Sequence, residues 1–139
     1  LVPELAGSIG VASVAAMIVL AAGHDLVPAT GVWAVLAARA ATSIPHVRDQ
    51  IRRLHGRPTS AIGPLAADAV AVLLVAAAAV AVPELVGGAA AIIAVVVAQR
   101  IGALRPAPSA IVVGVRQSIL GVAVVICTWL GVVLAGGLP

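Results

Sequence analysis

The chain has 139 residues, 63% of them hydrophobic and 9% charged, with a net charge of +3 from eight Arg and five Asp or Glu. Its mean hydropathy is +1.23, whereas a water-soluble domain carries about 25% charged residues. This excludes a disordered tail, a disulfide-stapled secreted domain and a nucleic-acid module with a hydrated basic face, and it leaves an integral membrane protein.

A bilayer core of about 30 Å needs about 20 apolar residues at 1.5 Å each. That ruler predicts an all-α, polytopic bundle forming a single transmembrane domain, with spans at 5–23, 27–41, 64–82, 85–104 and 109–135. Helices are expected throughout, because the Ala/Val runs lack the alternation of barrel strands and each segment must satisfy its own backbone in lipid. The second span is short and carries Arg39 near its end. Pro83, Glu84, Gly87 and Gly88 punctuate the third turn. The chain opens Leu-Val-Pro-Glu without Met or a basic leader, which reads as part of a longer protein with earlier spans. The single Cys127 has no partner for an intrachain disulfide.

Residues 43–58 read as a separate amphipathic helix on the membrane surface. Ser43 would cap it, Pro45 suits a first turn, Gly56 suits a stop and Pro58 prevents continuation. Val47, Ile51 and Leu54 share one face and Arg48 and Arg52 another, while Asp49 and Arg53 are spaced to pair at about 0.3 kcal/mol. On this layout all eight Arg fall at one end of the spans, and only His24, Asp25 and Glu84 occupy the opposite loops. The positive-inside rule then makes the Arg-rich end cytoplasmic and places Trp33 and Trp129 toward the outer interface. The Ala, Val, Gly and Arg bias without Lys points to a GC-rich bacterial source, hence a bacterial cytoplasmic membrane.

Two readings of the Arg cluster follow. One is a topology signal touching anionic lipid, worth about 1 kcal/mol per basic residue. The other is a cap over a cavity, with Arg48, Arg52, Arg53, Arg39 and Arg116 holding an anionic head group through paired hydrogen bonds. Within the spans, Asp68 and Arg116 both fall at inner-leaflet depth, where an unpaired charge is costly. Asp68 is expected to meet Arg116 or Arg39, with Gln99 and Gln117 lining the same pocket. Gly114, Ser118, Gly121 and Thr128 form a stripe of small or polar residues expected to pack against another helix, in this chain or in a partner subunit.

His24, His46 and His55 lack the spacing of metal ligands, and His46 and His55 read as interface residues. Ser8, Ser13, Ser109 and Ser118 have no nearby base, and the glycines form no phosphate-cradling loop. No catalytic residue, metal, cofactor or nucleic-acid partner is indicated.

The stretch WAVLAARAATSIPHVRDQIRRLHGRP at 33–58, a span ending in Arg that runs into a VR..IRR..GRP segment, resembles the YwiC-like bacterial membrane proteins. So does QRIGALRPAPSAIVVGVRQSILG at 99–121. The resemblance implies a multi-pass helical protein whose role is open. The layout is also similar to UbiA-type prenyltransferases, but these hold Mg²⁺ and a diphosphate with Asp-rich motifs, and here the connector offers only Asp49 among four Arg. The favoured reading is a non-catalytic multi-pass protein of the bacterial cytoplasmic membrane whose Arg-rich side faces anionic lipid, with an accessory subunit of a larger membrane assembly as one form of it. A prenyltransferase or its inactive relative and a small-solute transporter stand as alternatives.

Overall fold

The computed structural model describes residues 2–138, and every regular element in them is helical. In order they are α1 (Val2–Ala21), α2 (Leu26–Leu54), α3 (Ile62–Ala81), a 3-10 turn (Pro83–Leu85), α4 (Val86–Ala103) and α5 (Ala110–Leu134). Five helices are long and apolar enough to cross a membrane. The breaks lie where the backbone chemistry demands them. Gly23 turns the chain at φ +89° after α1, and Gly56 does so at φ +65° after α2, a region that only glycine enters without steric cost. Ser109 Oγ accepts the Val112 N–H at 3.5 Å and caps α5.

The connector is helical as far as Leu54, but it is not a separate element. It continues the second span without a break, making α2 a single helix of 29 residues. Ser43 is therefore not a cap. Its hydroxyl donates back to the Arg39 carbonyl at 2.8 Å, as Thr42 does at 3.2 Å. Pro45 is accommodated inside the helix, where it leaves the Ala41 carbonyl without its usual amide donor. At about 43 Å, α2 exceeds a hydrocarbon core of about 30 Å, so it carries its Arg-bearing end beyond the apolar layer. His46 is only 8% exposed and Gln50 3%; they face the bundle rather than the surface. Arg53 reaches the Ala103 carbonyl at 2.8 Å instead of turning back to Asp49.

α2 is the hub. It packs on α1, α3, α4 and α5, whereas α1 packs mainly on α2 and α4 pairs mainly with α5. The core consists largely of Ala and Val, with Val35, Ala38, Ala71, Val75, Ile92 and Val124 buried together. A second cluster joins Ala34, Ala78, Val82 and Leu85, with Trp33 packed against it. Trp33 thus turns inward, and its indole donates to the Ile9 carbonyl at 3.2 Å. Trp129 is 59% exposed near the far end of α5.

The exterior is inverted relative to a soluble protein. Large apolar side chains are exposed on every helix, whereas Thr42, His46, Gln50, Asp68 and Gln99 are buried. Such a continuous apolar surface is tolerated only against lipid or a partner. Of the expected stripe on α5, Thr128 meets another helix of the chain. A methyl added at Gly114 or Gly121 would meet nothing within 4 Å, and Ser118 is exposed. α5 meets α4 through Thr128, against Gly88, and through Gly131, outside the stripe, against Gly87. A methyl on Gly131 would lie 2.7 Å from the Glu84 carbonyl oxygen, and one on Gly87 would overlap the Cys127 carbonyl oxygen. Both obstacles are backbone, so neither can yield locally.

Gly87→Ala and Gly131→Ala are therefore expected to lower stability by about 1–3 kcal/mol, while Gly114→Ala stays within about 0.5 kcal/mol of the parent. Thermal melts in detergent check this; equal effects at all three positions would contradict the α4–α5 contact.

Candidate functional site

Three helices bring polar side chains to one depth near the Arg-rich end. Asp68 is six residues into α3, Arg100 three residues before the end of α4 and Gln117 seven residues into α5, or about 9, 5 and 10 Å along their axes. Antiparallel packing of neighbouring helices aligns these positions into a layer across the bundle.

Asp68 pairs with Arg100, not with Arg116 or Arg39. The Arg100 Nε donates to Asp68 Oδ2 at 2.6 Å, and its NH2 group reaches the same oxygen. The Asp68 side chain is 8% exposed and that of Arg100 32%. α3 and α4 are packed neighbours, so the two groups meet without crossing another helix. Arg116 takes a different path. It lies over Gly102, where a methyl would come within 2.7 Å of its NH1, and donates to the Ala98 carbonyl at 2.9 Å. Together with Arg53 on the Ala103 carbonyl, it brings positive charge to the carbonyl-bearing end of α4, where the helix dipole favours cations.

The two Gln residues do come together, but around Arg39. Arg39 NH2 donates to both the backbone oxygen and the Oε1 of Gln117 at 2.8 Å, and Gln99 Nε2 lies 3.5 Å from the same Oε1. The expected single pocket is thus split into an Asp68–Arg100 pair and an Arg39–Gln117–Gln99 cluster. The Nε and NH1 of Arg39 and the Oε1 of Gln50 and Gln99 are buried without a hydrogen-bond partner.

The proposed head-group residues are distributed accordingly. Arg48 pairs with Glu4 of α1 at 2.9 Å and is exposed, Arg53 and Arg116 hold α4 carbonyls, and Arg52 is exposed on the outer face of α2. Arg48 and Arg52 line a cleft of about 330 Å³ with Thr59 and Ser60. Arg39 and Arg48 line a larger groove of about 630 Å³ with Ser8, Gln117 and Ser118. Sequence reasoning missed Arg100 as the partner of Asp68. The available signal was its similar distance from the Arg-rich ends of paired helices. It also missed the inward placement of His46 and Gln50, which share a face at i, i+4 with Pro45 beside them. Among the described residues no group of three or more His, Cys, Asp or Glu could hold a metal ion.

Comparison of the chain with known protein families, curated proteins and solved structures finds no match.

A double-mutant cycle tests the pairing. Asp68→Asn and Arg100→Gln are expected to couple by about 0.5–3 kcal/mol in thermal or denaturant unfolding, with weaker coupling between Asp68→Asn and Arg116→Gln. The opposite ranking would reassign the ion pair.

Proposed function

We propose that this multi-pass chain is an accessory subunit of a larger assembly in the bacterial cytoplasmic membrane, with its Arg-rich end on the cytoplasmic side against anionic head groups. We propose with it a relationship to the YwiC-like proteins. The two stretches that carry that resemblance meet in the fold, Arg39 contacting Gln117 and Arg53 contacting Ala103, which supports treating them as one unit.

The observation that carries the subunit reading is the incomplete cover of α1 and α5. α1 buries only Ala12, and α5 only Val113 and Val124. Gly114, Ser118 and Gly121 line an uncovered face on α5 where another helix backbone can approach closely. The orientation rests on charge. Arg48, Arg52, Arg53, Arg57, Arg100 and Arg105 flank the loops at one end of the bundle, and basic residues near short loops are retained on the cytoplasmic side.

Orientation is tested in a Cys127→Ala background by an impermeant maleimide. Ser60→Cys is expected to react only after the membrane is opened, and Asp25→Cys from the periplasmic side; the reverse pattern would contradict the assignment. The helix-partner surface is tested by Gly121→Ile. The variant is expected to keep the parent melting temperature but release the chain from its stoichiometric partner on native gels. A homogeneous monomer for the parent protein, extracted in mild detergent, would contradict a subunit role.

A further inference from the structure

Among the described residues Arg39 is the guanidinium with buried N–H groups that lack a partner. It sits at the depth of Gln117, about 10 Å inside the first residue of α5. The nearby carboxylates are engaged elsewhere, Glu4 with Arg48 and Asp68 with Arg100. Among the described residues Arg39 has no carboxylate within ion-pair distance, and its Nε and NH1 are buried without a partner. A guanidinium held at this depth by neutral oxygens alone retains most of its desolvation cost, and an anion is the group that offsets it.

The groove beside it has the shape such an anion requires. At about 630 Å³, it lies in the range of pockets that enclose small amphiphilic ligands. α1 forms one wall and α5 the other, and these two helices are not a packed pair. The groove is therefore open between them on the flank of the bundle. Its polar part carries Arg39, Ser8, Gln117 and Ser118 together with Glu4, whose carboxylate is held by Arg48, and its apolar part runs along Val47 and Ile51 of α2. Gln117 supplies the exchange: its Oε1 now accepts from Arg39 and lies 3.5 Å from Gln99 Nε2, so it can turn to Gln99 when another oxygen takes Arg39.

We propose that the groove between α1 and α5 holds one anionic phospholipid, its phosphate against Arg39 and an acyl chain along Val47 and Ile51. The planar fork of Arg suits a phosphate; Ser8, Ser43 and Ser118 line the same groove, with the Ser43 and Ser118 hydroxyls donating to the Arg39 and Gly114 carbonyls. This deepens the reading of the Arg-rich end as lipid-facing and rests on the chain lying in a bilayer. It does not depend on which leaflet that end occupies.

Native mass spectrometry of the full chain, purified in detergent and incubated with phosphatidylglycerol, phosphatidylcholine or inorganic phosphate, tests the site. One phosphatidylglycerol is expected to remain bound, with about tenfold or weaker retention of phosphatidylcholine. Arg39→Gln is expected to reduce phosphatidylglycerol retention about tenfold or more, and Arg57→Gln to leave it unchanged. Ser8→Trp fills the groove while keeping Arg39 and is expected to give the same loss, so it carries the test if Arg39→Gln does not fold. Equal retention by parent, Arg39→Gln and Ser8→Trp would overturn the proposal. So would equal binding of phosphatidylcholine, or displacement of the lipid by millimolar inorganic phosphate, which would assign the site to a free anion. Reversed maleimide labelling at Ser60→Cys overturns the orientation alone, so the two readings fail separately.

Discussion

A guanidinium brought among packed helices has to find an oxygen, and this constraint organises one end of the bundle. Arg53 and Arg116 reach α4 carbonyls, Arg100 takes Asp68, Arg48 takes Glu4 and Arg39 takes Gln117. Each contact joins two helices near the same end. The clustered charge therefore ties α1, α3, α4 and α5 into the bundle around α2. Removing a charge here removes an inter-helix tie.

The far end is held by a different interaction. There the chain has no ring of charges, and contact depends on how closely backbones approach. Gly87 and Gly131 let α4 and α5 meet at backbone distance, and Gly31 admits Leu85 from the 3-10 turn, whose Cδ1 would lie 2.6 Å from a methyl there. Lipid is as apolar as Leu, so dispersion and close fit supply the attraction between helices. A core of Ala and Val suits this, because short side chains keep the helix axes near one another. Polar ties at one end and close backbone packing at the other leave α1 and the outer face of α5 as the least constrained surfaces.

The fold class was legible because apolar length is a one-dimensional property: five runs of about 20 residues can be measured without knowing their neighbours. Gly56 marked a real helix end for the same local reason. Ser43 and Pro45 misled, since a cap residue followed by Pro describes a helix start only when the preceding residues are not already helical. Here the span feeding into them is, and Ser43 bonds back to Arg39 instead. The polar layer was legible in part of its membership and not in its pairing, because Arg100 was not among the expected site residues. Asp68, Gln99, Gln117 and the arginines could be placed at one depth by counting, but which helices are adjacent decides that Asp68 meets Arg100. The stripe on α5 was legible in part. Thr128 does meet α4, at Gly88, but Gly131, outside the stripe, completes that contact, and Gly114 and Gly121 have open space around them; spacing shows which residues share a face, not which helix lies against each turn of it.

The central claim is that hydrocarbon surrounds these five helices and that the polar layer lies within it near one end. Hydrogen–deuterium exchange of the full chain in lipid nanodiscs tests this most directly. Slow exchange is expected through α1, α3, α4, α5 and the first half of α2, with fast exchange at residues 22–25, 55–61 and 104–109. A chain that stays monodisperse in buffer without lipid or detergent, or that exchanges rapidly through α1 and α5 in the nanodisc, would contradict it.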